Sequence, residues 1–554
     1  MRRGLLIVFL AGCTSAPRET AITTNVDDWR DEIIYQVMVD RFENGDRSND
    51  TLNGVDIDPS DLTRHQGGDW RGLRQRLDYI ADLGATAIWI SPIVANVDRT
   101  PPEDGYHGYW GADFTTVNPR FGSLEDLQDL VEAAHRRDLK VIIDVVPNHA
   151  GRVFAYDLNE NGVVDEGEWE PPFQESAYEV PLLWVERPRL FFEEGILELG
   201  REHFRRRGRG EFSMPGGKVF GDFPTGLRDL DTERDDVRRA LVDTYVRWVR
   251  ETNVDGFRID AVPHIEDSFW PFFGAEVRAR LAALGKRRFL LLGEVFSGDP
   301  RELARFSGET GSLDAAFDFG LKLDVIDGVI LEGRAANTAA RALEESQSLF
   351  RPFGHPQGVG VGPWQARVGI ADNHDTWRLR GELDRFDAAA LALLVVATVD
   401  AIPCIYYGTE QAFRGQGGAA SRERMWDSGF SRRTPTYLWL QQLLALRREL
   451  PVLRRGDLRV RYASSEDGFS DAADAGMLAY ERALEDERVL VVLNAHALKT
   501  SSAPVPSGFP RGTVLVDQLS AATAIVGEGG LVEAELGPRE ARIWARRDLG
   551  GESR

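Results

Sequence analysis

The chain is poor in cysteine and in positive charge, and both shortages exclude something. Only Cys13 and Cys404 occur in 554 residues, so no disulfide framework can hold the fold. Cys404 lies in the apolar run Ile402-Pro403-Cys404-Ile405-Tyr406 and reads as a buried core thiol rather than a nucleophile. Lys and Arg number 66 against 89 Asp and Glu, a net charge of −23. Such an imbalance argues against nucleic acid or an anionic membrane surface as partner, and it suits a neutral substrate and some divalent cations. No fixed-period repeat points to a solenoid or propeller. What is present is an ordinary soluble composition, 42% hydrophobic and 28% charged. The length suits a large barrel with one or two smaller units.

Met1-Arg2-Arg3 followed by Leu5-Leu6-Ile7-Val8-Phe9-Leu10 is a basic segment and a short apolar one, too short to span a bilayer. It ends in Leu10-Ala11-Gly12-Cys13, which resembles the signal of bacterial lipoproteins. The resemblance implies cleavage before Cys13, lipidation of that residue, and an extracytoplasmic protein anchored at the cell envelope; the alternative is a plain secretory signal with an incidental Cys. Residues 1–26 are therefore read as signal and polar tether.

From residue 33 onward, β-rich apolar runs alternate with amphipathic ones. The predicted strands are 33–39, 87–90, 141–146, 254–259, 289–292, 316–319, 367–370 and 403–406. Helical patterns lie between them at 73–83, 124–137, 237–250, 275–284, 334–350 and 388–399. This alternation predicts an α/β fold, a (β/α)8 TIM barrel. Two intervals break the rhythm. Residues 150–220, rich in Glu, Arg, Pro and Phe, read as an irregular domain inserted after strand three. Beyond a helix at 436–448, strands at 458–463, 477–482 and 489–493 between Gly and Asp turns read as an antiparallel domain over 451–554. The barrel then comprises 27–149 and 221–450.

Polar residues recur where these strands end. Strand three runs into Asp144-Val145-Val146-Pro147-Asn148-His149, and strand four carries Arg258 and ends at Asp260. Strand five ends in Gly293-Glu294-Val295-Phe296, and strand seven runs into Asp372-Asn373-His374-Asp375. Tyr106-His107-Gly108-Tyr109-Trp110 follows strand two. Barrel active sites sit at strand C-termini. Arg258 shares a strand face with Asp260, and its charge would keep that carboxyl ionised; the pair alone could equally close the top of a strand. Their recurrence at one rim favours chemistry, because buried charges without partners are costly.

Together these segments resemble the α-amylase family of glycoside hydrolases over roughly residues 33–411. Tyr35-Gln36-Val37-Met38-Val39-Asp40-Arg41-Phe42 and Ile405-Tyr406-Tyr407-Gly408-Thr409-Glu410-Gln411 add to the likeness. The resemblance implies a barrel, a domain inserted after strand three and a C-terminal β-sandwich. It also implies retaining hydrolysis of α-1,4-glucosidic bonds in starch and maltooligosaccharides, with Asp260 as nucleophile, Glu294 as acid/base and Asp375 stabilising the transition state. His107, His149 and His374 match histidines that hydrogen-bond the sugar, Tyr109 its stacking platform, and Phe296 an acceptor-side aromatic. Glu294 follows an apolar run, so burial is expected to raise its pKa.

Three acidic clusters suggest calcium. Residues 157–168 offer oxygen ligands at loop positions 1, 3, 5, 9 and 12 (Asp157, Asn159, Asn161, Asp165, Glu168), with Gly162 at 6 and the Val163 carbonyl at 7, the EF-hand spacing. The flanks do not look like paired helices. Asn44, Asp46, Asn49, Asp50, Gly67 and Asp69 resemble a calcium site of cyclodextrin glucanotransferases. Asn148, Asp229 and the His264 carbonyl match the family site that joins barrel to inserted domain. The bland alternatives are a solvated acidic turn, Asx turns and rim hydrogen bonds.

Two other functions stay open. Transglycosylation, as in cyclodextrin glucanotransferases, is favoured by the 44–50 loop and Phe296. Against it stand Thr225, where those enzymes place a large aromatic, and a chain with no length left for starch-binding domains. A non-catalytic glycan-binding lipoprotein would be expected to have lost a carboxylate, and all three are present. Pro263, where many relatives have Lys, alters a leaving-group-side contact, and Arg422 is only a loose match to a donor-side one. A monomer with an α-glucan substrate and no nucleic-acid partner is expected.

Overall fold

The structure is a computed structural model and describes residues 20–307 and 312–547; the expected lipidation site Cys13 lies outside them. Eight parallel staves build the central sheet: β1 (Ile34–Val37), β2 (Ala87–Ile90), β3 (Lys140–Val145), β4 (Gly256–Ile259), β5 (Leu290–Gly293), β6 (Ala315–Ala316), β7 (Val368–Ile370) and β8 (Ile402–Tyr406). Their order is β6-β5-β4-β3-β2-β1-β8-β7. A parallel bridge from Phe317 to Val368 joins the two ends, so the ring closes.

The period-2 pattern explains the barrel's two faces. Ile34, Trp89, Ile142, Leu290, Leu292, Ile370 and Cys404 fill the interior, while Tyr35, Ile88, Ile143, Phe257 and Leu291 between them pack under the helices. Full burial of each such side chain is worth roughly 1.5–3 kcal/mol. Cys404 is free and buried, and burial pushes its thiol pKa up, as expected of a core residue.

The outer layer includes α1 (Trp70–Gln75), α2 (Leu77–Leu83), α3 (Leu124–His135), α4 (Asp235–Thr252), α5 (Phe269–Ala283), α6 (Phe386–Thr398) and α7 (Pro435–Glu449). At the start of α3, Ser123 Oγ accepts from the Asp126 amide at 3.2 Å and Asp126 Oδ2 from the Ser123 amide at 2.9 Å, a capping box. The helix expected over 73–83 is two helices, because Arg76 leaves the helical region (φ −106°, ψ 4°). The one expected over 334–350 is broken into short turns, with Glu344 at φ −139°. The regular coil there lies upstream, a wide π-type helix at Leu321–Leu331.

Residues 150–220 form short antiparallel pairs, Phe154–Tyr156 with Leu182–Trp184 and Arg189–Phe192 with Gly195–Glu198. Arg228 ties this segment to the barrel: it is fully buried, pairs with Asp222 at 2.5 Å, and donates to the carbonyls of Phe154 and Trp169. The C-terminal part holds β9 (Asp457–Ala463), β10 (Met477–Leu484), β11 (Glu487–Asn494), β12 (Ser501–Pro506), β13 (Val514–Asp517), β14 (Thr523–Ile525), β15 (Leu531–Leu536) and β16 (Ala541–Arg546). A six-stranded antiparallel sheet, β9-β10-β11-β16-β13-β14, lies with the pair β12-β15 over a shared core of Val492, Val505, Leu515 and Val532.

Candidate active site

The stave register determines which side chains meet. Arg258 lies level with Asp144 on one side and Leu292 on the other. Just past the stave ends, the Asp260 amide bonds Val145 O and the Glu294 amide bonds Ile259 O, both at 2.9 Å. Arg258, Asp260 and Glu294 are thereby brought together. Arg258 Nη1 donates to Asp260 Oδ1 at 2.7 Å and to both oxygens of Asp144 at 3.0 and 3.1 Å. Its Nη2 lies 2.6 Å from Glu294 Oε1, a contact off the line of a hydrogen bond. Ala261, in the left-handed region at φ 52°, turns its amide toward Glu294 Oε2 at 3.3 Å.

Burial and neighbours then separate the carboxyls. Glu294 is raised well above the usual carboxylate range, first by burial and then by the charges of Asp260 and Asp375, with Arg258 opposing. Asp144 is raised likewise by burial, against Arg258; it also accepts from Tyr109 Oη at 2.8 Å and Trp89 Nε1 at 3.1 Å. For Asp375, burial alone would raise the pKa, but His374, Arg422 and Arg258 outweigh it and the net shift is downward. Its side chain keeps 39% of its surface open to the cleft, so water there screens part of this attraction. Glu294, poised to hold a proton, thus sits in one cleft with Asp375, poised to release one, the kind of division that acid catalysis needs.

The three rim histidines are neutral. Burial lowers His107, His149 and His374, the last to about 3. Gln36 Nε2 lies 2.7 Å from His374 Nδ1; its amide donates there, so Nε2 carries the proton toward Asp375 Oδ2 at 3.1 Å. The Tyr109 amide donates to His107 Nδ1 at 3.0 Å, and His149 Nε2 faces the Tyr109 carbonyl at 3.2 Å. Tyr109 stacks parallel to His374 at 5.3 Å. His107, Tyr109, His149 and His374 line one cleft of roughly 380 Å³ with Asp260, Glu294 and Asp375, whereas Arg258, Asp144 and Gln36 lie beneath its wall. Phe296 is not among them; it is 58% exposed and packs on Phe319.

Sequence reasoning left out other members of the site. Asp144 stands in the sequence only as the first residue of its motif, and its level with Arg258 in the predicted staves is the signal that marks it. Arg422 lines the cleft, with Nη2 3.2 Å from Asp375 Oδ1 and bonds to Tyr106 Oη and the His374 carbonyl. It comes from a loop whose path no local pattern encodes. Glu103, which accepts from Tyr106 Oη at 3.0 Å, and Phe223 also line the cleft, as does Thr225 at φ 73°.

The acidic clusters differ in how well they suit a hard cation. In the 157–168 loop, Asp157 accepts from the Asn161 and Gly162 amides at 2.9 and 3.0 Å. Glu168 accepts from those of Leu158 and Asp165, and Asn159 and Asn161 both turn their amides to Asp165. Side chains from positions 1, 3, 5, 9 and 12 thus belong to one closed loop around Gly162 at φ 77°, but among the described residues no three acids or histidines are gathered as a metal-ligand set, and Asn159 and Asn161 face Asp165 with nitrogen rather than oxygen. Val163 at position 7 is exposed and donates its amide to Asn161. No helix precedes the loop; Phe154–Tyr156 is a strand.

In the first cluster, Asn44 Oδ1 and Asn49 Oδ1 are buried without a partner, and a side chain at Gly67 would strike Asn44 and Asp50. That close cradle fits. Asp46 and Asp69 are otherwise engaged: Asp46 pairs with Arg71 and Ser48, and Asp69 accepts amides of Gly45, Asp46 and Gly72. In the third, Asn148 and Asp229 meet where His149 pairs with Asp229; Asn148 Oδ1 and Asp229 Oδ2 are both buried without a hydrogen-bond partner, although Arg205 Nε lies 3.2 Å from the latter, off the line of a hydrogen bond. His264 points its Nδ1 to the Lys218 carbonyl.

Comparison with known proteins agrees with this geometry. The family model described as alpha amylase, catalytic domain, matches residues 36–178 and 219–442. A cyclomaltodextrin glucanotransferase of Geobacillus stearothermophilus is 30% identical over 95% of this chain and 69% of its own length. An α-amylase of Streptomyces lividans is 30% identical over 77% of this chain, and the match spans half of that relative. Among solved structures, the acarbose complex of a Geobacillus thermoleovorans α-amylase superposes with a TM-score of 0.70 at 29% identity, covering 94% of this chain and 99% of that one. CldA, a cyclomaltodextrin glucanotransferase with a three-domain ABC distribution, superposes at 0.75 with 27% identity, covering 93% and 99%.

Proposed function

Since the chain belongs to the α-amylase family of glycoside hydrolases, we propose that it hydrolyses α-1,4-glucosidic bonds of starch and maltooligosaccharides with retention at the anomeric carbon. The observation that carries this reading is the single guanidinium of Arg258 contacting both Asp260 and Glu294. Two carboxyls on the two arms of one planar fork suit the roughly 5–5.5 Å spacing of a retaining pair better than the wider gap that admits a water.

In the first step Glu294 gives its proton to the glycosidic oxygen while Asp260 attacks the anomeric carbon, and a covalent glycosyl-enzyme forms. Glu294, now ionised, takes a proton from water, which attacks the same carbon and frees Asp260. Asp375, joined to His374 and Arg422, faces the positive charge that develops on the ring. His107 and His149 offer hydrogen bonds to sugar hydroxyls. Asp260→Asn and Glu294→Gln should each lower kcat on soluble starch by about a thousandfold or more; unchanged hydrolysis in either would refute the assignment.

Transglycosylation is the second reading, and the likeness to CldA supports it: a glucanotransferase of three-domain build removes the argument from chain length. Thr225, a small residue in the cleft wall, leaves water access to the intermediate and favours hydrolysis. Incubation with maltoheptaose separates the two. Short linear sugars support hydrolysis, whereas cyclic or elongated glucans support transfer.

Calcium belongs to this reading in a structural role, held by the Asp157–Glu168 side chains and by Asn44, Asn49 and Asp50. Such an ion stiffens a loop and supplies no step of the reaction. Anchorage through Cys13 at the cell envelope rests on the signal-like segment, and Cys13→Ser is expected to move the protein from the membrane fraction to the medium or periplasm.

A further inference from the structure

We infer that the floor of the barrel, where the staves begin, is the face turned to the membrane, and that arginines left unneutralised there meet anionic phospholipid headgroups while the catalytic cleft points away. The inference rests on the lipid anchor proposed at Cys13. What the structure adds is the place where the chain from that anchor arrives. Thr20 Oγ1 donates to the Glu251 carbonyl at 2.8 Å, the Thr23 amide to Asn253 Oδ1 at 3.0 Å, and Asn25 Nδ2 to Asp255 Oδ1 at 2.9 Å. Asn253 Nδ2 donates back to Thr23 Oγ1, and the Arg287 amide to Thr24 Oγ1, both at 2.8 Å. Trp29 Nε1 then reaches the Arg288 carbonyl at 2.6 Å. Residues 251–255 lead into β4 and 285–288 into β5, so this segment is fastened under the starts of the two staves whose far ends carry Asp260 and Glu294. Cys13 stands seven positions before Thr20, and a fully extended link of that length spans at most about 25 Å. The floor is therefore held close to the acyl chains, with the mouth of the barrel on the opposite side.

The floor is also where positive charge is left over. Its acids are matched: Asp255 by Lys286 at 2.8 Å, Glu251 by Arg247 at 2.7 Å, Asp28 by Arg30, Asp31 by Arg454 and Asp138 by Lys140. Arg250 and Arg287 are exposed, and neither they nor Arg288 have a carboxylate within ion-pair distance among the described residues; Arg288 Nη1 bonds only the Val359 carbonyl, at 2.7 Å. These three flank the docked segment, Arg250 beside Glu251 and the other two beside Gly285. Arg287, Arg288 and Gln357 border a concavity of roughly 230 Å³ with no acid in its lining. Against them stands Asp27, exposed and unpaired among the described residues. Anionic headgroups attract basic side chains within a Debye length of the surface, about 8 Å at physiological ionic strength. The molecule as a whole, at −23, is repelled by such a surface, so these charges do not recruit it. Once it is tethered, repulsion of the acidic faces and attraction of the floor favour a single orientation, and a bulky glucan meets an open cleft.

The test uses the full-length protein extracted from membranes and placed on vesicles of phosphatidylcholine and phosphatidylglycerol that carry a headgroup-bound quencher. The mass of its N-terminal fragment is read first. With Cys13 acylated and Cys404 buried, a thiol dye reports one introduced site: Gln357→Cys on the floor, or Ser213→Cys on the mouth side, where the neighbouring Phe212 packs on His264 at 5.2 Å. The dye at 357 is expected to lose most of its emission and the dye at 213 to keep it. Arg250→Glu combined with Arg287→Glu is expected to erase that difference and to leave hydrolysis of soluble starch at the wild-type rate, which shows that the fold is intact. Equal loss at both sites, greater loss at 213, or a contrast that charge reversal leaves untouched would overturn the inference while the anchor stands. An unmodified Cys13 would overturn the anchor, and the inference with it.

Discussion

Arg258 shows how far one side chain can organise a site. It is fully buried, contacts three carboxyls, and lies 5.1 Å from the centre of the Trp89 ring. Its reach to Asp260 was legible from two-residue strand spacing; its reach to Glu294 and Asp144 needed the register of three staves. Arg422, arriving from a loop, was legible only as a loose likeness to a donor-side sugar contact, with no sign of its bond to Asp375. Because Arg422 helps hold the Asp375 pKa down, Arg422→Met should move the acidic limb of kcat/KM on maltoheptaose to higher pH. A second expectation concerns the cost of the acid. The folded state raises the pKa of Glu294, so the stability this group carries is full below its ordinary value and is lost as pH rises through the raised one. Glu294→Gln mimics the protonated form. It should therefore melt like wild type near pH 4 and above wild type near pH 9, while losing hydrolysis.

Among elements, the staves could be read because short apolar runs ending in polar residues have no other good use. The helices were harder. Residues 334–350 have a helical composition, yet turns broken at Glu344 replace a continuous helix, and the apolar, β-branched stretch at Leu321–Leu331 coils instead. Propensity is a weak prior that packing overrides. The inserted segment shows what packing decides: Arg228 satisfies Asp222 and two carbonyls in a dry setting. Arg228→Ala leaves Asp222 buried and unpaired, and should cost about 3–5 kcal/mol in denaturant unfolding. The 157–168 loop makes a different demand. Chelation should expose it to limited proteolysis, and calcium at a hundred times its dissociation constant should add about 2.7 kcal/mol to stability; unchanged cleavage would refute the metal.

At the scale of the molecule, a surface carrying a net −23 has no charge to seek on a neutral glucan. Raising ionic strength from about 0.05 to 0.3 M should change kcat/KM on starch by less than about twofold, since steering needs a charged ligand. The ring of staves has its own consequence. Between β6 and β7 it is closed by the Phe317–Val368 bridge, the Asp318 amide on Val368 O, and Arg367 on Asp318. Asp260 and Glu294 belong to staves on one side of that seam and Asp375 to the other. Were the joint to part on warming, the coupled acids would travel together on their shared arginine while their third companion drifted away. Heat would then silence the enzyme while most of its architecture still stood.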